Sequence, residues 1–147
     1  MKTRIFTTGV VLSRGKLLIL KRKPDDDSYP GVWDCVGGHF EKAESAEQCM
    51  LREALEETGE RMTIVRGGPL IEYLDVYGRA VAVPFLLRPE PRKRVVPSEH
   101  SEYKWVPLAG VNKYEIVPDL AKALPLFGLA RGTKASASTG QESRRRS

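Results

Sequence analysis

The segment from Gly38 to Glu60 reads GHFEKAESAEQCMLREALEETGE, and it contains the clearest helix signal in the chain. Ser45 is followed three residues later by Gln48, which fits a capping box in which each side chain binds the other residue's backbone amide. Gly59 is suited to the left-handed conformation that commonly ends a helix. The sequence therefore predicts a helix that begins after Ser45 and ends at Gly59.

Three glutamates of this helix fall on one stripe when successive residues are placed about 100° apart. They are Glu53, Glu56 and Glu57. The stripe lies beside a predicted apolar face formed by Met50, Leu51, Ala54 and Leu55. Glu53 and Glu57 form a like-charged i,i+4 pair, and two of the acids lie at the negative end of the helix dipole, so both arrangements are unfavourable. Arg52 lies only at the edge of the stripe, where we expect it to give little compensation.

Two interpretations of this acidic stripe stay open on its geometry alone. Surface helices commonly carry a solvated acidic face without any ligand. Alternatively, several carboxylates on one rigid element offer the hard oxygen donors that Mg²⁺ and Mn²⁺ prefer.

The same segment closely resembles the Nudix box. That motif has a glycine, five residues, a glutamate, seven residues, and then R-E-U-x-E-E-x-G-U, where U is aliphatic. The matching residues are Gly38, Glu44, Arg52, Glu53, Glu56, Glu57 and Gly59. Two U positions differ, since Ala54 is small and Glu60 is acidic. Glu60 lies after the predicted helix end, so its departure concerns the packing of the next strand more than the chemistry.

Resemblance to the MutT-like Nudix hydrolases implies an enzyme that hydrolyses a nucleoside diphosphate linked to another moiety with the help of Mg²⁺ or Mn²⁺. A nucleoside triphosphate pyrophosphohydrolase, with a role in sanitising the nucleotide pool as one option, is the favoured subtype. In the family Glu53, Glu56 and Glu57 are the catalytic positions. The resemblance makes Glu56 and Glu57 direct metal ligands. Glu53 either binds a further metal ion or acts as the general base.

Further site residues are implied by positions outside the box. The backbone carbonyl of Gly37 and the side chain of Glu99 would complete the metal site, with Glu102 as the second candidate for the Glu99 role. Lys21 and Arg22 end a predicted strand at a place where the family often has a phosphate-contacting cation.

Other family positions have a structural role. An ion pair between Glu44 and Arg52 would fix the loop against the helix. His39 is either a residue that faces the phosphates or an ordinary loop histidine. Trp33, Tyr73 and Tyr77 could stack on a base, although aromatic residues on strands more often belong to the core.

The remainder of the chain predicts an α+β fold. The β-rich runs are Thr3–Leu12, Lys16–Lys21, Met62–Val65, Leu70–Val76, Ala80–Leu87 and Tyr103–Pro107, and a second helix is expected at Ile116–Leu126. Pro84 lacks a backbone N–H, so its strand is predicted to be an edge strand or to contain a bulge. The order of elements fits the Nudix-type α/β/α sandwich with a mixed β-sheet.

The length and charge of the chain limit the number of domains and the kinds of binding partner. The 147 residues suffice for one domain, and we expect a Nudix domain over residues 1–130 and a disordered basic tail over residues 131–147. The tail has five basic residues and one acidic residue, so it accounts for most of the net charge of +5. Contact of this tail with RNA is less favoured than plain solvation.

No segment resembles a signal peptide or a membrane span, so a cytoplasmic protein is expected. The sequence does not indicate an oligomeric state.

Two alternative functions remain. Nudix-fold isopentenyl diphosphate isomerases use a cysteine and a glutamate to move protons, and Cys35 lies in roughly the corresponding region. A non-catalytic nucleotide or RNA binder is the other alternative, for which the basic tail is the only support. The box keeps every charged position, which favours the hydrolase over both.

Overall fold

The computed structural model describes residues 2–90 and 100–129. These residues form a mixed seven-stranded sheet. In chain order its strands are β1 (Thr3–Ser13), β2 (Lys16–Arg22), β3 (Trp33–Asp34), β4 (Met62–Gly67), β5 (Ile71–Asp75), β6 (Gly78–Pro89) and β7 (His100–Pro107). The helices are α1 (Ala46–Thr58), a 3₁₀ helix (Leu108–Lys113) and α2 (Pro118–Leu126).

The centre of the sheet is a parallel pair, β1 and β6, in register from Thr3 opposite Arg79 to Val11 opposite Leu87. The other strand pairs are antiparallel, and the strand order is β3-β2-β1-β6-β4, with β5 also on β6 and β7 on β2. β1 and β2 pair only beside the turn that joins them. Beyond that point the two strands separate.

The gap beside β1 is filled by the loop that follows β3. The amide of Gly9 donates to the carbonyl of Val36 at 2.7 Å, and the amide of Thr7 donates to the carbonyl of Gly38 at 2.9 Å. Backbone hydrogen bonds of this kind satisfy polar groups that β2 would otherwise pair. They also place the start of the box against the central strand.

Alternating side chains of the strands build two cores, one on each face of the sheet. Val10 belongs to the cluster that includes Leu120 and Leu124 of α2, whereas Val11 belongs to the cluster that includes Met50 of α1. The two helices therefore cover opposite faces, which confirms the predicted α+β sandwich. Within residues 2–90 and 100–129, no helix is long and apolar enough to cross a lipid bilayer.

The limits of α1 agree with the prediction from its caps. The Ser45 hydroxyl accepts a hydrogen bond from the Gln48 amide at 3.1 Å, and the Gln48 side chain accepts one from the Ser45 amide at 2.9 Å. Gly59 ends the helix in the left-handed conformation, with φ at 76°. Local signals alone were sufficient to predict both ends.

The predicted apolar face of α1 is partly wrong. Leu51 and Leu55 are 38% and 43% exposed. Met50 and Ala54 are buried as predicted, and the other buried residues of the helix are Cys49, Glu57 and Thr58. The helix is turned toward Glu57 because this carboxylate accepts a hydrogen bond from the loop beside β1. A helical wheel cannot include that tertiary contact.

The expectation of an edge strand around Pro84 is also wrong, since β6 has neighbours on both sides. Pro84 lies between the stretch of β6 paired with β4 and the stretch paired with β5, so its missing N–H removes no ladder bond to either strand.

The second helix starts at Pro118 rather than Ile116 because Ile116 forms a bridge to Trp33. Glu60 is only 4% exposed, so the last aliphatic position of the box remains an interior one.

Gly9 should be intolerant of a side chain. A Cβ there would lie 2.6 Å from Val36, 2.7 Å from Met50 and 2.9 Å from Leu87. Overpacking of this kind lowers stability by about 1–3 kcal/mol, so Gly9→Ala should lower the midpoint of chemical denaturation. The matched control is Gly110→Ala, whose new Cβ would be 3.8 Å from its nearest neighbour, an ordinary contact. Equal midpoints for the two variants would contradict the packing described here.

Candidate functional site

The candidate site lies where the loop before α1 packs closely against glutamates of α1. The Gly37 amide donates to Oε1 of Glu57 at 2.9 Å. A Cβ on Gly37 would lie 2.0 Å from the carbonyl oxygen of Thr7, and one on Gly38 would lie 2.3 Å from Oε2 of Glu53. Two residues without side chains therefore allow the loop, the central strand and two carboxylates to meet.

Arg52 connects the acids at this junction. Its Nε and Nη2 atoms donate to the two oxygens of Glu44 at 2.5 and 3.0 Å, a bidentate pair. Its Nη1 atom lies 3.2 Å from an oxygen of Glu53 and 3.2 Å from an oxygen of Glu56. Nη2 also donates to the carbonyl of His39 at 3.1 Å. The expectation that Arg52 gives little compensation is thus wrong, because its long side chain reaches across the stripe.

The pair between Arg52 and Glu44 remains ionised over a wide pH range. Hydrogen bonds from Arg52 and from the Glu41 amide hold the pKa of Glu44 at about 2. The same bond to Glu44 is the main cause of the raised pKa of Arg52. A lowered carboxyl pKa stabilises the folded state above the unfolded value of 4.5, and that contribution is lost as the pH falls toward 2.

The three α1 carboxylates differ in exposure. The side chain of Glu53 is 13% exposed and that of Glu56 is 53% exposed, while residue Glu57 is 4% exposed. Glu53 and Glu56 share one nitrogen atom of Arg52, so this cation lies between them. The donor set consists of hard oxygens, which suit Mg²⁺ or Mn²⁺.

A second group of ligand-type side chains was not predicted. Within the described residues, the ligand atoms of Asp34, Cys35 and Asp119 are the ones that lie within 4.8 Å of one another. Asp34 already accepts hydrogen bonds from Arg22 at 2.6 Å and from the Cys35 amide at 2.7 Å. Burial raises the pKa of the Cys35 thiol well above its ordinary value. This group is therefore better described as a hydrogen-bonded cluster than as a cation site.

Asp119 is also buried and hydrogen-bonded, and its pKa is raised. It accepts hydrogen bonds from the hydroxyl groups of Thr8 at 2.8 Å and Tyr73 at 3.3 Å. Burial, together with the nearby charge of Asp34, raises the pKa of Asp119 to about 6. In the sequence, Asp119 follows a proline at the start of a predicted helix, where an acid is ordinary, so nothing there indicated its burial.

A cavity of about 240 Å³ joins the two groups. Gly37 and Glu57 line it on the side of α1, and Tyr73 and Asp119 line it on the side of α2. Perturbed carboxyl groups beside a cleft are typical of functional sites. The cavity thus extends from the acidic helix into the interior of the sandwich.

The two cations predicted to contact phosphate, Lys21 and Arg22, form different ion pairs. Arg22 lines the cavity, but its guanidinium donates to Asp34 at 2.6 Å and to Asp26 at 2.8 Å. Lys21 pairs with Glu102 at 3.8 Å. Their contact with phosphate, and the role of Glu102 as a metal ligand, stay predictions. Glu99 lies outside the described residues, as does the basic tail.

Comparison with known proteins decides the family. The NUDIX domain family model matches residues 3–127. The chain belongs to the Nudix family. Residues that the Nudix box predicts to be structural, Glu44 and Arg52, are the ones that form the bidentate pair described above.

Two curated relatives illustrate the range of similarity. Nucleoside triphosphatase NudI of Enterobacter sp. (strain 638) is 33% identical over 69 residues, which are 47% of this chain and 49% of the relative. The match therefore spans about half the length of that protein. The protein of the same name from Escherichia fergusonii is 24% identical over 140 residues, covering 88% of this chain and 99% of the relative.

A solved structure supports the same fold. The crystal structure of the MutT protein from Methanosarcina mazei Go1 has a TM-score of 0.71 and 26% identity. It covers 82% of this chain, and the match includes 88% of that chain. The Nudix architecture predicted from the sequence is confirmed.

Arg52→Lys tests the anchor between the Nudix loop and α1. Lysine retains the charge but cannot make the bidentate bond to Glu44, so stability should fall by about 1–2 kcal/mol. Hydrogen exchange of residues 38–45 should accelerate in this variant. The matched control is Arg79→Lys, which changes an exposed pair with Glu72 and should leave both measurements nearly unchanged. An unchanged exchange rate at 38–45 in Arg52→Lys would rule out the anchor.

Asp119→Asn should remove a pH dependence of stability. A carboxyl whose pKa is about 6 in the folded state and 3.8 in the unfolded state stabilises the fold below pH 4. That contribution, on the order of 3 kcal/mol, is lost as the pH rises from about 4 through 6. The variant should therefore gain stability relative to wild type between pH 4 and pH 7, as measured by urea denaturation. Asp25→Asn, at an exposed position, is the control, and a pH-independent difference for Asp119→Asn would contradict the assignment.

Proposed function

We propose that this chain is a metal-dependent Nudix pyrophosphohydrolase that acts on a nucleoside triphosphate. The observation that carries the proposal is the packing of Glu57 against Gly37 and of Glu53 against Gly38, with Glu57 lining a cavity. The name of the NudI relatives supports a triphosphate substrate.

Glu56 and Glu57, with the backbone of Gly37, would hold the Mg²⁺ or Mn²⁺ ion. When bound, such an ion neutralises the charge of the diphosphate and activates the attacking water. Glu57 is positioned for this role by the Gly37 amide, which donates to its Oε1 atom at 2.9 Å. Glu56 is the most exposed of the three acids and can turn toward the substrate.

Glu53 has a different environment. Its carboxylate is packed against Gly38 and shares Arg52 with Glu56. This position suits either a ligand of a further metal ion or a base that accepts the proton of the attacking water. In both roles Arg52 restrains the orientation of the carboxylate.

The nucleoside would lie inside the cavity, with its phosphates directed toward Glu57. Tyr73 offers an aromatic ring with a hydroxyl group, and Asp119 offers a carboxyl group that can accept or donate a hydrogen bond near pH 6. Trp33 is only 8% exposed and belongs to the core, so it is not available for stacking. The isomerase alternative is disfavoured because the Nudix box keeps every charged position.

A nucleotide panel tests the proposal. Purified protein with Mg²⁺ should convert at least one nucleoside triphosphate into its monophosphate and pyrophosphate, as resolved by ion-exchange chromatography. Glu57→Gln should lower kcat at least about 100-fold, because it removes a charge from the metal site while keeping the side-chain volume. Glu72→Gln, at an exposed acid on β5, is the matched control and should retain activity.

Two outcomes would count against the proposal. One is the absence of diphosphate cleavage with every nucleotide and either metal. The other is full activity of Glu57→Gln, which would place the chemistry elsewhere. Activity that is lost equally in Glu57→Gln and Glu72→Gln would indicate misfolding, and thermal melts of the two variants distinguish that case.

A further inference from the structure

We propose that Arg4 is a specificity-determining residue that donates hydrogen bonds to a carbonyl oxygen of the substrate's base. The inference rests on the proposed function, since it assumes that a nucleoside occupies the cavity. It concerns a residue outside the Nudix box and outside the residues selected from the sequence.

Arg4 lines the cavity and donates to Asp75 at the end of β5. It lies on β1 three residues before Thr7, whose amide bonds to Gly38 at the start of the box. Strand geometry places these two positions about 10 Å apart. A nucleotide whose phosphates lie at Glu57 would therefore direct its base toward Arg4.

The guanidinium of Arg4 is held from one side. Its Nη2 atom donates to Asp75 at 2.6 Å and to the carbonyl of Gly78 at 3.2 Å. Asp75 is itself fixed, because it accepts hydrogen bonds from the Tyr29 hydroxyl at 2.5 Å and from the Tyr77 amide at 2.9 Å. The orientation of Arg4 is therefore set by the β5–β6 hairpin and by the loop after β2 before any ligand arrives.

Donors of Arg4 remain for a ligand. A guanidinium has five N–H groups, and its hydrogen bonds to the described residues all come from Nη2. Nε is buried and has no hydrogen-bond partner among residues 2–90 and 100–129. Because Nε is buried, the donors that a bound molecule can reach are those of Nη1, which makes no hydrogen bond to the described residues.

The charge of the surroundings favours a neutral acceptor. Asp75 neutralises Arg4 at 2.6 Å, so an anion would gain little Coulomb energy there. A base carbonyl needs only directed donors, and arginine commonly makes two parallel bonds to the carbonyl oxygen and ring nitrogen of guanine. The geometry points to nucleotides whose base carries such a carbonyl.

The experiment compares substrates that differ by one oxygen atom. Inosine triphosphate is paired with purine riboside triphosphate, and uridine triphosphate is paired with 2-pyrimidinone riboside triphosphate. The wild-type protein should prefer inosine triphosphate or uridine triphosphate, the member with the additional carbonyl, over its partner by about tenfold or more in kcat/KM. Arg4→Met should reduce this ratio to near one, mainly through KM of the member with the additional carbonyl.

Two further variants keep the result interpretable. Arg4→Lys retains a cation for Asp75 but lacks the planar donor pair, so it should also lose the preference while remaining folded. Arg79→Met removes an exposed arginine from the same hairpin and should keep the wild-type ratio. An unchanged ratio in both Arg4 variants, or an equal loss for both members of each pair, would overturn the inference while leaving the proposed function intact. Absence of hydrolysis with every nucleotide would overturn both.

Discussion

A single arginine side chain holds the acidic end of α1 together with the loop that precedes it. Arg52 makes a bidentate bond to Glu44 and contacts Glu53 and Glu56 through one nitrogen atom. Without a cation, carboxylates this close on one helix would repel one another. The arginine thus permits a concentration of negative charge that the helix alone would not favour, and it fixes the loop whose glycines define the mouth of the cavity.

The cavity connects this charged surface with a buried polar interior. At one side, glutamates of α1 are held by Arg52 and by the amide of Gly37. At the other, desolvation raises the pKa of Asp119 to about 6, so that its carboxyl group is protonated more readily than an exposed aspartate. The two sides suit different parts of a nucleotide. The glutamates would hold the metal cation that phosphates require, whereas the polar interior offers the directed hydrogen bonds that a base requires.

Local sequence was sufficient for some features of the fold and insufficient for others. The ends of α1 follow from Ser45, Gln48 and Gly59, whose interactions involve neighbours in the chain. The burial of Glu57 instead depends on a loop twenty residues earlier. The meeting of Asp34 with Asp119 depends on the packing of β3 against α2, which are far apart in the chain. Spacing within a motif predicts which residues share a helix face, but it does not predict what the tertiary structure brings against that face.

The parallel pairing of β1 with β6 has a consequence for how the chain folds. Thr3 is opposite Arg79 and Val11 is opposite Leu87, so the central pair joins segments more than seventy residues apart. Contacts of long sequence separation slow folding, since the intervening chain loses entropy before they form. During synthesis, β1 leaves the ribosome early and must wait for its partner. Until β6 emerges, the apolar first strand has to be kept from pairing with other chains.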